Sequence, residues 1–247
     1  MGKETIFAGK AEGYAAHRPS YPKELFDFLE SVFPKPIEIA DIGAGTGIFS
    51  KVLLEKNYSV TCVEPNEEMG AIAQKLLAVF PKFELITATA EETGILDHSI
   101  NLVTVAQAFH WFDVELFKKE CQRILTKNGK VALIWNYRDE STELIKDYEK
   151  VNRELCLSFK GFSEGIDREK IISFFKKGEY QTLTFSNADQ LTKEGFIGRA
   201  LSSSYAPKAT DYNYIKYKES ISELFDKYQT EGIINYPNIT MLYLGNV

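Results

Sequence analysis

The stretch Ile37-Glu38-Ile39-Ala40-Asp41-Ile42-Gly43-Ala44-Gly45-Thr46-Gly47 constrains this chain more than any other. A short apolar run ends in an acid and is followed by three glycines at alternate positions. Ile48-Phe49-Ser50-Lys51-Val52-Leu53-Leu54 then carries apolar residues at helical spacing. That order predicts a strand, a tight loop and a helix. Glycine permits positive φ and lets a ligand lie against bare peptide, while the helix that follows turns its free N–H groups toward whatever sits there. Three glycines inside five residues cost chain entropy with no evident packing gain, so a ligand-binding loop is favoured over an empty βα turn.

The spacing narrows the ligand. Dinucleotide-binding loops prefer G-x-G-x-x-G, whereas this loop is G-x-G-x-G with Asp41 two residues before the first glycine. The run Asp41-Ile42-Gly43-Ala44-Gly45-Thr46-Gly47 resembles the first motif of class I S-adenosylmethionine-dependent methyltransferases. The resemblance implies an α/β, Rossmann-like fold: a doubly wound, seven-stranded, mostly parallel sheet with an antiparallel last strand, a helical N-terminal arm and a helical lid insertion. It also implies S-adenosyl-L-methionine as cofactor, with Asp41, Gly43, Gly45 and Gly47 among the residues that bind it.

Further along, Tyr58 to Glu64 is a β-branched run that again ends in an acid, 23 residues after Asp41. An ionised carboxylate only accepts hydrogen bonds, so Glu64 at a strand tip is placed to take two ribose hydroxyls. Asn66 is expected to cap the next helix, whose first turn carries Glu67 and Glu68. Val63-Glu64-Pro65-Asn66-Glu67-Glu68-Met69 resembles the family's second motif, which puts Pro65 at the cofactor and Met69 near the adenine. Phe83 to Thr87 is read as the third strand. By the same resemblance, Ala90 and Glu91 in the loop after it reach the adenine.

The run from Ser99 to Phe112 opens with a strand and passes into the aromatic cluster Ala106-Gln107-Ala108-Phe109-His110-Trp111-Phe112. In open parallel sheets ligands sit beyond the carboxyl ends of strands, so Gln107 to Trp111 should face the cleft. The segment is similar to one found in a branch of small-molecule methyltransferases, with Gln107 as a cofactor contact. It departs from the Asn/Asp-Pro-Pro-Tyr pattern of amide and adenine N-methyltransferases. The nearest branch by resemblance is the trans-aconitate type of carboxyl methyltransferase.

Composition agrees with a small-molecule enzyme. The chain has 247 residues and a net charge of −6, which argues against a surface built for nucleic acid or anionic lipid. Its three cysteines form no C-x-x-C and have no partner histidines at metal spacing, so no metal site is expected and a reduced, cytoplasmic setting is favoured. No stretch approaches eighteen uninterrupted apolar residues. A monomer or homodimer that binds neither nucleic acid nor membrane is expected.

The remainder is read as one domain over 1–247. Its parts are an arm and helix over 7–36, a cofactor-binding core over 37–140, lid or acceptor elements over 141–206 and 207–230, and a final strand within 231–247. The arm from Phe7 ends in Pro19 and Pro22, and Pro22 suits the first turn of a helix through Leu25, Phe26, Phe28 and Leu29. Tyr14 and Arg18 are cofactor or substrate contacts by resemblance. Asp113 should cap a helix to Leu125, and Lys127-Asn128-Gly129 should turn into a fifth strand, Lys130 to Trp135, with Tyr137 and Arg138 at its carboxyl end. Helices are expected over 142–159, 168–175, 191–205 and 211–228, and strands over 180–186 and 239–244.

Methyl transfer from a sulfonium is an in-line displacement, for which the protein supplies mainly alignment. A carboxylate acceptor is already nucleophilic and needs only a cation to hold it. Arg138, Arg18 and Arg199 are the candidate clamps, because guanidinium matches carboxylate in a bidentate pair. A hydroxyl acceptor needs a base, and His110 at the fourth strand tip is the best placed, its other reading being a histidine packed beside Trp111. His110, Trp111, Tyr137, Arg138, Arg199 and Tyr205 form the expected acceptor side, with His110 and Arg138 as the catalytic candidates. Two other functions compete: a catalytically silent S-adenosylmethionine-binding protein, and an NAD-dependent dehydrogenase, which the missing G-x-G-x-x-G disfavours.

Overall fold

A computed structural model describes residues 21–162 and 167–247. The first element is helix α1, Lys23–Val32, which starts after Pro22 and buries Leu25, Phe26 and Leu29 on one face. Strand β1, Glu38–Ile42, is buried at every position but its first. Burial on both faces is what an interior parallel strand requires, and the run Ile39-Ala40-Asp41-Ile42 is apolar but for its acid. Helix α2, Ile48–Glu55, follows the glycine loop. Next come β2, Ser59–Val63, α3, Glu67–Leu77, β3, Phe83–Ile86, and β4, Ile100–Ala106. A short 3-10 turn over Phe109–Trp111 leads to α4, Val114–Ile124, and then β5, Leu125–Arg138.

After β5 the chain forms α5, Glu143–Leu155, α6, Arg168–Phe174, β6, Tyr180–Ser186, β7, Asp189–Leu191, α7, Lys193–Leu201, α8, Tyr214–Tyr228, β8, Ile234–Tyr236, and β9, Asn238–Gly245. Seven strands form one sheet in the order β3-β2-β1-β4-β5-β9-β6. β1 pairs in parallel with β2 and β4, β2 with β3, and β4 with β5. The last strand, β9, is antiparallel. This is the Rossmann-like, doubly wound sheet that the resemblance implied. Its crossing point lies at β1, between β2 and β4, and so places the loop after β1 at the topological switch where such sheets bind ligands.

The described residues divide into two compact units. The first lies within Met1–Trp135, Ile166–Phe185 and Thr240–Val247, the second within Asn136–Gly165 and Ser186–Ile239. The first holds the sheet and a core in which Leu25, Phe26, Phe49, Leu53, Val60, Leu77, Leu102, Ile134 and Leu242 are buried together. The second has its own core of Leu144, Ile145, Tyr148, Phe196, Tyr217, Ile221 and Phe225, and a small antiparallel pair, β7 with β8. Much of the segment read as lid elements, 141–230, falls in the second unit, but 167–185 belongs to the first.

Several element ends differ from expectation for physical reasons. β5 begins at Leu125, paired with Ile100, and its register with β4 shifts before Leu102 pairs with Lys130. Lys127-Asn128-Gly129 is therefore an irregularity inside the strand. Gly129 is what the close approach requires: a Cβ there would stand 2.8 Å from the Leu125 side chain and 3.1 Å from the Ile100 carbonyl oxygen. The helix expected over 191–205 is confined to Lys193–Leu201, since Leu191 is taken by β7 and Thr192 caps the helix by accepting from the Gly195 amide at 3.2 Å.

Candidate cofactor site

The glycine loop is built from both sides. Gly43, Gly45 and Gly47 have φ of 71°, 58° and 81°, the left-handed region that favours glycine. Their surroundings differ. A Cβ on Gly43 would sit 2.5 Å from the Ala108 Cβ and 3.2 Å from the Phe112 ring, and one on Gly47 would sit 2.5 Å from Leu77 Cδ1. These two glycines let the loop pack against the β4 tip and α3, a packing role that the sequence did not reveal. Gly45 is different: a Cβ there would meet only Met69 Sδ, at 3.9 Å. Its bare side faces open space.

Around that space the acids and amides are arranged with care for charge. The Glu64 carboxylate accepts from the Gly45 amide through Oε2 at 2.8 Å and from the Asn66 amide through Oε1 at 2.9 Å. Burial raises its pKa, partly opposed by those two amides. The amides of Gly43 and Ala44 both donate to the Val63 carbonyl, at 2.8 and 3.1 Å, and the Gly47 amide donates to the Ala44 carbonyl at 3.0 Å. The loop is thus not the array of free N–H groups that the sequence suggested. Its amides from Gly43 to Gly45 are committed, and a carboxylate lies on the last of them.

Asp41 has a different place from that expected. It is 1% exposed, below the loop, with Oδ2 accepting from Ser50 Oγ at 2.5 Å and Oδ1 from Thr104 Oγ1 at 2.7 Å. The Cys62 thiol donates to Ser50 Oγ at 3.0 Å. Both oxygens are occupied and shielded from any ligand, so Asp41 supports the loop rather than touching a bound molecule. Burial raises its pKa to about 6, against the lowering effect of the two hydroxyls. Ser50 and Thr104 were missed in the sequence, although Thr104 stands out as a hydroxyl in the apolar run Leu102 to Val105. Asp41 pairs in register with both Cys62 and Thr104.

The other strand tips supply the rest. Asn66 caps α3 as expected, accepting from the Met69 amide at 3.0 Å, and Met69 is buried. Pro65 is half-buried and Ala90 is buried. Glu91 uses Oε1 to accept from the Asp113 amide at 2.8 Å, which ties the loop after β3 to the start of α4. The same loop is pinned at Thr93, whose amide donates to Glu120 Oε1 at 2.8 Å. Gln107, at the β4 tip, takes φ of 61°, and its amide donates to the Ile134 carbonyl at 2.9 Å. Asn57, His98, Lys177 and Glu231 share that left-handed φ among the described non-glycine residues. His110 and Trp111 are exposed, their rings 4.7 Å apart. Tyr14 and Arg18 lie outside the described residues, as does His17.

The remaining expected residues belong to the second unit. Arg138 donates from Nε to the Tyr236 hydroxyl at 2.7 Å, and Arg199 places its guanidinium 4.3 Å from the centre of the Tyr236 ring. Arg199 also pairs with Asp189 at 2.5 Å. Tyr205 packs its ring on Phe159, and Tyr137 is half-buried. Tyr236, around which the two arginines meet, gave no signal in the sequence. Among the described residues no cluster of His, Cys, Asp or Glu could hold a metal, and no helix is long and apolar enough to cross a membrane.

Fold and site together define a Rossmann-like α/β protein with a glycine loop at its topological switch and an acid at the next strand tip. Residues 40–133, from β1 into β5, match the Methyltransferase domain family. An uncharacterized methyltransferase of Mycobacterium tuberculosis is 34% identical over 145 residues, which are 59% of this chain and 58% of that protein. The chain thus spans less than two thirds of the length of the curated relatives it matches. Among solved structures, one from Anaeromyxobacter dehalogenans, itself only provisionally assigned as a type II methyltransferase, aligns with a TM-score of 0.66 at 20% identity. The alignment covers 93% of this chain and 96% of that one. Geranyl diphosphate C-methyltransferase from Streptomyces coelicolor A3(2), solved with S-adenosyl-L-homocysteine, aligns with a TM-score of 0.51 at 10% identity, covering 91% of this chain and 79% of that one. These matches carry the resemblance to class I methyltransferases and stop short of its trans-aconitate branch.

Proposed function

We propose that this chain is an S-adenosyl-L-methionine-dependent methyltransferase acting on a small organic acceptor. One observation carries the choice of cofactor: the loop amides from Gly43 to Gly45 are spent within the protein and the Glu64 carboxylate lies on the Gly45 amide. A pyrophosphate needs free amides and repels a carboxylate, so a dinucleotide is poorly served. A cofactor with a ribose and a cationic sulfonium suits both features. Glu64 retains lone pairs for ribose hydroxyls beyond the two amides it accepts from. Gly45 offers bare peptide, and Met69 borders the same space.

When bound, S-adenosyl-L-methionine supplies an activated methyl group. The chain's own part is to hold and orient. Glu64, Pro65 and Met69 would fix the adenosine, with Gly43, Gly45 and Gly47 shaping the floor beneath it and Asp41 bracing that floor. Ala90, Glu91 and Gln107 are proposed to border the adenosine, and Tyr14 and Arg18 to contact the cofactor or acceptor from the arm. His110 and Trp111 are the proposed acceptor contacts of the first unit. His110 takes a proton only if the acceptor is a hydroxyl, since a carboxylate has none to give. The protein would work in the cytoplasm, as a monomer or homodimer, without nucleic acid or membrane.

The test is to add purified protein and S-adenosyl-L-methionine to a cell extract and follow metabolites by mass spectrometry. A metabolite that gains one methyl group only in the presence of protein supports the proposal. Cofactor binding with no methylated product would make the chain a silent binding protein.

A further inference from the structure

We infer that the second unit contains a binding site for an organic carboxylate, built on Arg138 and Tyr205. Arg123, Arg153 and Arg199 each hold an acid, at 2.5 to 2.7 Å. Arg138 holds none among the described residues, although it is half-buried at the end of β5. Its guanidinium lies 4.5 Å from the centre of the Phe162 ring, and only its Nε is engaged, by the Tyr236 hydroxyl. A guanidinium set in aromatic surroundings without a counter-charge is costly, and an anion removes that cost.

A second, independent observation points to the same ligand. The Tyr205 hydroxyl is buried with no hydrogen-bond partner, the one such side-chain atom among the described residues. Its ring packs on Phe159 at 4.8 Å, Phe159 packs on Phe162 at 5.0 Å, and Phe162 is the ring that the Arg138 guanidinium covers, so both groups border one aromatic cluster. An unused fork of N–H donors and an unused O–H donor on the same aromatic cluster are complementary to a group that only accepts, which is what a carboxylate is. Charge chooses among anions. Arg138 supplies a single positive charge and Arg199 is already neutralised by Asp189, so a monoanionic carboxylate is matched whereas a phosphate dianion would leave one charge uncompensated in an apolar setting. Tyr148, Phe159 and Phe162 offer apolar walls for the body of the molecule. That the carboxylate belongs to the methyl acceptor rests on the proposed function; its binding does not.

Binding is therefore measured on the full chain without cofactor, by calorimetry with acetate, butyrate and benzoate, each against its primary amide, and with inorganic phosphate. At least one acid should bind while its amide and phosphate do not. Arg138→Gln should abolish that binding. Tyr205→Phe should weaken it roughly tenfold or more, the loss expected for one hydrogen bond to a charged group, while leaving the melting temperature of the free protein unchanged or higher, because the hydroxyl it removes has no partner there. Acids that bind no better than their amides, phosphate that binds more tightly than the acids, or a Tyr205→Phe variant with undiminished binding would each overturn the site. S-Adenosyl-L-homocysteine titrated in parallel separates the two ideas: its failure to bind, with carboxylate binding intact, would sink the methyltransferase reading alone.

Discussion

Asp41 shows how a single residue can be legible in kind and misleading in role. Its place before the glycines marks it as important, but only the register of β1 against β2 and β4 shows it bonded to Ser50 and Thr104 under the loop. Its pKa, raised from 3.8 to about 6, makes the folded state the stronger proton binder between those pH values. Its contribution to stability therefore falls as pH rises through that window, by about 3 kcal/mol in all at about 1.4 kcal/mol per unit. Asp41→Asn removes this ionisation, so urea denaturation at pH 4 and pH 7 should find the variant gaining roughly that much on its parent between the two. The glycines divide likewise. Each carries the cost of a left-handed L-residue, about 1–2 kcal/mol, if changed to alanine. Gly43→Ala should lose more stability than Gly45→Ala because of the Ala108 contact, and Gly45→Ala should lose cofactor affinity out of proportion to its stability. Denaturation and calorimetry on the pair measure both.

At the scale of elements, periodicity and capping chemistry were good guides. β6 spans Tyr180–Ser186 as read, and Asn66 and Asp113 cap the helices they were expected to cap. β7 and β8 were missed because three-residue strands have no measurable period, and their pairing joins residues some 45 positions apart. The strand tips were legible where the chemistry is local, as in the Asn66 cap. It was illegible where it depends on distant partners, as with Glu91 on Asp113 or Arg138 on Tyr236. Asn66 links the α3 cap to Glu64, so Asn66→Ala should cost about 1 kcal/mol of stability and also weaken cofactor binding by loosening Met69. Amide exchange at Met69 should quicken in that variant, while exchange in α5 should not change.

Over the whole molecule, the doubly wound, seven-stranded sheet is what the resemblance carried by the glycine loop implied, whereas the division into two units, each with its own aromatic and aliphatic core, had no counterpart in the sequence. A core's membership depends on contacts that sequence spacing cannot order. A ligand that binds only the folded chain stabilises it, by about 2.7 kcal/mol at a hundred times its dissociation constant, so S-adenosyl-L-homocysteine should raise the melting temperature and NAD should not. The most direct measurement is calorimetric titration of S-adenosyl-L-methionine into the parent protein and into Glu64→Ala. Saturable binding to the parent that is lost or greatly weakened in the variant is the expected result. No binding to the parent, or a variant that binds as tightly, would contradict the assignment of this loop and its carboxylate as the cofactor site.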